Sequence, residues 1–285
     1  MKSNSFSLDT FPKKVLENII SAKIRRIDNI KSKKISFLKK SLISIFKEKF
    51  YGLALDFDGT LIPIKKRTDY VDPHILDILI KLNKKKIPIF ILTGRGKSIL
   101  DQFPLDNFAL QKYILISQYN GARIILGDKS FIFELNAKTF SDYDIIFQFL
   151  KENHIKFKQN LSGFACFDNN SNYNLCTSFI SNFNKWKLVS TNYSYDILPK
   201  KISKYGALLK GSEIYNIRNL NSILKIGDSG DINGNDYDFL KLKNSFSVGE
   251  YSSDLSTNFP VINEKNIFLK GPKGLSFILN HITIL

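Results

Sequence analysis

Cysteine is nearly absent: Cys166 and Cys176 are the only two in 285 residues. Two thiols ten apart supply neither metal-ligand spacing nor a disulfide framework. A reducing, cytoplasmic setting is therefore the expectation. Histidine is equally sparse, and His74, His154 and His281 form no cluster. No apolar run is long enough to span a bilayer. The stretch from Phe6 to Phe11 is broken by Ser7, Asp9 and Thr10, so no secretory signal is read there. Acidic residues are outnumbered, 26 against 42 Lys and Arg, for a formal charge of +16. Much of the excess lies in residues 1–50, where thirteen Lys/Arg meet four Asp/Glu. A basic balance suits anionic substrates, membranes or nucleic acid. Neither an aromatic-interleaved RNA motif nor a helix-turn-helix pattern points to nucleic acid. Lys-, Ile- and Asn-rich composition, with solubility, accounts for most of the charge.

The hydrophobic share of 43% and aromatic share of 13% are those of a folded chain with a substantial core. Over residues 11–50, Leu16, Ile20, Ile24 and Ile27, then Ile35, Leu38, Leu42 and Ile45, recur at helical spacing. Residues 1–50 read as a basic helical extension packed on the main domain. A membrane surface is a second candidate partner for its Lys/Arg-rich face.

From Tyr51 onward strand and helix patterns alternate. Strands are predicted at Tyr51–Phe57, Pro88–Leu92 and Tyr113–Ser117, with helices at Asp72–Lys86 and from Gly96. This order implies an α/β fold with a Rossmann-like parallel sheet. After Asn120-Gly121 the rhythm changes. A hairpin is predicted about Gly127-Asp128, a helix at Ser141–Asn153, and short strands at Ile155–Gln159, Gly163–Phe167 and Asn174–Thr177, with residues 168–174 as a loop. Residues 121–200 thus read as an inserted α+β cap between core segments 51–120 and 201–285. In the second segment helices are expected at Gly206–Asn216, Tyr237–Leu242 and Gly271–Leu285, and strands at Ile223–Ile226 and Ser245–Val248.

Asp56-Phe57-Asp58-Gly59-Thr60 is the most informative stretch. It follows the apolar run Tyr51–Leu55, so a buried strand ends in two carboxylates. Such charges must face a cleft, a metal or a cation. At i and i+2 the two side chains would share one face of a regular strand. That suits a nucleophile beside an acid/base, with a divalent cation between them and a phosphate. A calcium loop would need further oxygen ligands, but Leu61, Ile62, Pro63 and Ile64 follow.

Other strand ends carry matching chemistry. Thr93-Gly94-Arg95 offers a hydroxyl and a helix start for a phosphate oxygen. Lys204 opens the returning core and could hold nucleophile and phosphate together. Gly227-Asp228-Ser229-Gly230-Asp231, followed by Gly234-Asn235-Asp236, again gathers acids after a strand. In an open parallel sheet these ends line one crevice. Oxygen ligands of this kind suit Mg2+.

The set, in this order, resembles the haloacid dehalogenase superfamily, and the block after Asn120-Gly121-Ala122 resembles the α/β cap of its sugar-phosphatase branch. The resemblance covers about residues 51–285. It implies an aspartyl-phosphate enzyme in which Asp56 attacks phosphorus and Asp58 serves as acid and then base. Thr93, Gly94 and Lys204 would hold phosphoryl oxygens. Asp56, the Asp58 carbonyl and Asp228 would hold magnesium, with Asp231, Asn235 and Asp236 as further metal or supporting candidates. Asp231 and Asp236 compete for the second acidic place, because Asp231-Ile232-Asn233-Gly234 lengthens the usual spacing. Tyr205 stands where the family has Gly after Lys204. The implied substrate is a small phosphorylated metabolite, a sugar or polyol phosphate. A phosphomutase, or a non-catalytic protein binding through residues 1–50, are the alternatives. Candidate cap contacts are Asn169 to Asn174, Trp186, Tyr193 and Tyr195.

Overall fold

The computed structural model describes residues 12–27, 31–66, 68–102, 113–127, 132–167, 170–190 and 194–285. Two helices come first among the described residues, α1 (Lys13–Arg25) and α2 (Ser32–Lys47). Strand β1 (Lys49–Phe50) leads into β2 (Gly52–Asp56). Then come α3 (Pro73–Lys84), β3 (Ile89–Leu92), the short α4 (Ile99–Gln102) and β4 (Ile114–Gln118). Asp72 caps α3 by accepting from the His74 N–H at 2.9 Å, and Pro73 suits the first turn.

The chain turns back through β5 (Arg123–Leu126) and β6 (Ile132–Glu134). These pair antiparallel with β4 and each other, so the hairpin extends the large sheet. The smaller sheet starts only later. It comprises β7 (Phe157–Asn160), β8 (Gly163–Cys166), β9 (Trp186–Ser190) and β10 (Tyr195–Pro199), in the order β7-β8-β10-β9. Helices α5 (Tyr143–Glu152) and α6 (Asn170–Ile180) belong to the same unit. The expected strand at Asn174–Thr177 is therefore helix. Tyr173, buried Cys176 and buried Ile180 recur at helical spacing, and that period outweighs the short apolar run.

The core resumes with α7 (Lys204–Ile214), β11 (Ile223–Gly230), α8 (Tyr237–Leu240), β12 (Ser245–Tyr251), β13 (Phe259–Pro260), α9 (Gly271–His281) and β14 (Thr283–Ile284). Among the described residues, the large sheet runs β13-β12-β11-β2-β3-β4-β5-β6, parallel from β13 to β4. Every residue of β2, β3 and β4 is buried, because helices cover both faces. The α1, α2, α3 and α9 face shares one apolar cluster, and α7 and α8 cover the other face.

Val15, Ile19, Leu38, Leu42 and Ile45 seat the N-terminal helices in the first cluster. Each such side chain contributes about 1.5–3 kcal/mol when fully buried, so packing holds these helices in place. Not all of their basic residues face solvent. Lys23 is fully buried, with Nζ donating to the Ser252 carbonyl at 2.7 Å and lying over the Phe259 and Tyr251 rings. No helix among the described residues is long and apolar enough to cross a membrane.

The cap's own core is aromatic. Tyr143 stacks on Phe164 at 4.7 Å, and buried Trp186 donates from Nε1 to the Ser141 carbonyl at 2.8 Å. Gly121 (φ +101°) lies where the chain leaves the core; a Cβ there would sit 2.5 Å from the carbonyl of Ser203, where it returns. Cap and core also meet at a Ser190–Gly234 bridge and a 2.6 Å ion pair between Lys187 and Asp238.

Candidate active site

Asp56 closes β2, Thr93 follows β3, Asp228 lies near the end of β11, and Lys204 begins α7. Parallel register brings the strand ends together: Asp56 pairs with Leu92, and Leu55 with Ile226. Ser203 caps α7 by accepting from the Gly206 N–H at 2.9 Å, which fixes the first turn that carries Lys204.

Lys204 is buried between two carboxylates. Its Nζ lies 2.5 Å from Asp56 Oδ1 and 2.5 Å from Asp236 Oδ1. Asp236 Oδ2 in turn accepts from the backbone N–H groups of Asp228 and Ser229, each at 3.0 Å. One oxygen from each of Asp56, Asp228 and Asp236 lies within 4.8 Å of the others. This settles which acid enters the crevice. Asp236 is fully buried there, whereas Asp231 turns outward and pairs with Arg26 at 3.4 Å. Asn235 contributes a buried Oδ1 that accepts no hydrogen bond among the described residues.

Two glycines make this crowding sterically feasible. Gly59 has φ +83°, and a Cβ there would run into the Asp228 carboxylate. A Cβ at Gly227 would stand 2.6 Å from Asp236 Oδ2.

Three carboxylates face one ammonium, and the electrostatics reflect the deficit. Burial, then the Asp236 charge, push Asp56 up to about 8 against the pull of Lys204. Burial, then Asp56 and Asp236, push Asp228 up to about 9. For Lys204 burial works toward a lower value, but Asp236 and Asp56 outweigh it and raise the ammonium above its ordinary range. A site of hard oxygens lacking positive charge fits a divalent cation of the magnesium kind. Asp56, Asp228 and Asp236 are the side chains that would hold it; the Asp58 carboxylate is not in this cluster.

Asp58 lies two residues beyond the regular strand and is held differently from Asp56. Arg95 donates to it from Nε at 2.7 Å and Nη2 at 2.5 Å, a fork on both oxygens. Arg95 also bonds Gln102 and lies 5.0 Å over the Phe57 ring. The two aspartates therefore answer to separate cations. Sequence reasoning placed Arg95 in the second motif without giving it this task.

Thr93 is buried, and its Oγ1 accepts from the Arg95 N–H at 3.0 Å. Asn120 has left-handed backbone (φ +54°), and its N–H donates to the Thr93 carbonyl at 2.9 Å. A Cβ on Gly94 would meet Asn120 Oδ1 at 3.1 Å, so glycine lets the hinge residue lie on the loop. Asn120 Nδ2 donates at 3.1 Å to Asp196 on cap strand β10. Burial raises Asp196 to about 6, opposed by its Asn120 and Ser194 hydrogen bonds and by the Lys204 charge. A lone carboxylate inside the run Tyr195-Asp196-Ile197-Leu198 was the sequence signal for it.

The expected cap contacts fare less well. Trp186 belongs to the cap core, and Tyr195 is buried with its hydroxyl 3.6 Å from Cys176 Sγ. Tyr193 and Asn169 lie outside the described residues, and Asn174 is an exposed position of α6.

Residues 53–175 match the haloacid dehalogenase-like hydrolase family. No curated protein sequence matches the chain significantly. A phosphatase of the haloalkanoate (HAD) superfamily from Bacteroides thetaiotaomicron superposes with a TM-score of 0.57 at 18% identity, over 71% of this chain and 85% of that one. A HAD subclass IIB sugar phosphatase gives 0.55 at 17%, over 73% and 90%. Aspergillus fumigatus trehalose-6-phosphate phosphatase gives 0.56 at 15%, over 85% and 97%. At these identities the likeness is one of fold: a Rossmann-like core with a cap. The family match runs through the β2 motif, so over residues 53–175 the chain is similar to the haloacid dehalogenase-like hydrolases.

Proposed function

We propose that the protein is a magnesium-dependent phosphomonoester hydrolase acting on a small sugar or polyol phosphate through an aspartyl-phosphate intermediate. The observation that carries this reading is Lys204 wedged between Asp56 and Asp236, beside Asp228, while Arg95 separately holds Asp58.

Asp56 Oδ1 is tied to Lys204, and Oδ2 is buried without a partner among the described residues. Oδ2 is the oxygen left to attack phosphorus. As the new P–O bond forms, the bond to the leaving oxygen breaks, and Asp58 supplies the proton that oxygen needs. Asp58, now a carboxylate, takes a proton from water, which attacks phosphorus and frees both phosphate and Asp56. Lys204 neutralises charge gathering on the phosphoryl oxygens, and Thr93 and the Gly94 backbone position them. Arg95 orients Asp58 for both proton transfers. When bound, magnesium would add positive charge to neutralise the phosphoryl group.

The sugar or polyol class rests on the cap and on what the fold neighbours are named for, a sugar phosphatase and a trehalose-6-phosphate phosphatase. Asp196 reaches from the cap onto the hinge at Asn120, where a carboxylate suits hydroxyl groups. The deciding assay is phosphate release from a panel of phosphorylated metabolites with magnesium, beside the Asp56→Asn variant. Release from sugar phosphates by the native chain and none by the variant is expected. Equal release by the two would refute the assignment.

A further inference from the structure

A cleft of about 1090 Å³ has Gly59 and Asp228 in its wall. Of the acidic triad only Asp228 lines it, and Asp56, Asp58, Thr93 and Lys204 are not among its lining residues. Its size is that of a small-molecule site.

The N-terminal extension builds one wall. Arg26 donates to the Tyr251 carbonyl at 2.7 Å and lies 4.6 Å over the Tyr251 ring. The Tyr251 hydroxyl donates to the Ala22 carbonyl at 3.4 Å. Phe268 stacks on the pinned tyrosine, with centroids 6.0 Å apart and rings 23° from parallel. Phe268 is 39% exposed, and Tyr70, also in the lining, is 73% exposed. Flat aromatic surface is thus presented inside a concavity, where a ring could stack.

The rim is cationic. Lys65, Lys270 and Lys273 line it, and none has a carboxylate partner among the described residues. The nearby acids are largely committed: Asp69 pairs with Lys66, and Asp72 caps α3. Glu250 and Asp228 are the remaining carboxylates of the lining, and Asp228 is turned toward Asp56 and Asp236. Helix α9 starts at this rim, its N-terminus uncapped by any side chain. Ammonium groups and an uncapped helix start both favour an anion.

We propose that this cleft is a ligand site that adjoins the catalytic crevice at Asp228, taking a flat aromatic ring that carries a phosphate or sulfonate group. The ring lies against Phe268 and Tyr70, and the anionic group sits among Lys65, Lys270 and Lys273. The site stands on its own geometry and does not depend on the hydrolase reading.

The test uses the full chain and 1-anilinonaphthalene-8-sulfonate, an aromatic sulfonate whose fluorescence reports binding. Saturable binding is expected in the native protein. K270E/K273E and, separately, F268A weaken it about tenfold or more, the size of losing one good contact. These positions are at the surface, and an unchanged melting temperature checks that the fold is kept. K138E/K158E, the same charge change placed on exposed positions away from the cleft, leaves binding unaltered. Native-like binding in K270E/K273E, or equal weakening in K138E/K158E, overturns the proposal.

Discussion

Lys204 Nζ lies 2.5 Å from Asp56 Oδ1, with both groups buried. The ammonium is the one cation in contact with the carboxylate triad among the described residues, and it touches Asp236 as well. Lys204→Met therefore leaves three acids without a counter-charge. Breaking a buried pair from one side costs about 3–5 kcal/mol. The variant should melt well below the native protein in chelator and lose about a hundredfold or more in turnover, on the scale of removing one charge-stabilising donor. Calorimetry and a phosphate-release assay read the two effects.

Asp56→Asn separates chemistry from stability. The amide cannot accept phosphorus, so turnover vanishes. It also removes one of three crowded carboxylates, one that burial and the Asp236 charge hold up near 8. The metal-free variant should then be at least as stable as the native protein at pH 8. Melting curves in chelator test this, and a lower melting point would contradict the crowding account.

The same crowding fixes a pH dependence. Asp56 and Asp228 titrate near 8 and 9 in the fold, against about 4 in an unfolded chain. Between those limits the folded state holds more protons than the unfolded one. The triad's contribution to metal-free stability then falls as pH rises from about 4 to 9, while buried Lys23 and Lys225, both lowered to about 7, act in the opposite direction above pH 7. A divalent cation needs the ionised forms, so its stabilising effect grows over the same range. The gap in melting temperature between magnesium and chelator should widen from pH 6 to pH 9. A constant gap would count against the triad as the ion's site.

Much of this site could be read from residue types at strand ends. Asp56, Thr93 and Asp228 close or follow apolar runs, and parallel register makes such ends converge whatever their separation along the chain. What spacing could not settle was orientation. Asp231 and Asp236 are equally acidic on the page, and only the path of the 229–236 loop sends Asp236 to Lys204 and Asp231 to Arg26. Arg95 looked like the start of a helix because its partner, Asp58, lies 37 residues away. In the cap, β9 and β10 carry no clear strand pattern in the sequence: Lys187, Asn192 and Asp196 interrupt the apolar residues around them. The run from Asn170 misled in the other direction, since Asn favours turns in isolation and the helical period shows only through Tyr173, Cys176 and Ile180.

Arg95 grips both oxygens of Asp58, and its side chain is 5% exposed. Lysine cannot reproduce the fork. Arg95→Lys should lower kcat about ten- to a hundredfold, the lower part of what a positioned acid/base supplies, with KM little changed. Steady-state kinetics on one substrate suffice, and a loss confined to KM would assign Arg95 to substrate binding instead.

Asp196 joins cap to hinge, and its place there makes it the cap residue to test for substrate choice. One carboxylate oxygen takes the Asn120 amide, and the other faces Ser194 Oγ at 3.3 Å. Burial raises the group to about 6, so it is mostly ionised at pH 7.5. An ionised carboxylate at a cap edge is a strong acceptor for hydroxyl groups. Asp196→Asn keeps the shape and weakens the acceptor. KM for a sugar phosphate should rise about tenfold, near the worth of one hydrogen bond to a charged group, while acetyl phosphate, which has no hydroxyls on its leaving group, is hydrolysed as before. The substitution carries a second signature. Native Asp196 holds its proton to higher pH in the fold than in the unfolded chain, so it costs stability as pH rises from about 4 to 6. Asp196→Asn removes that slope. Equal losses on both substrates would mean that Asp196 merely seats the cap on Asn120, and the choice of substrate would then lie elsewhere in the cap.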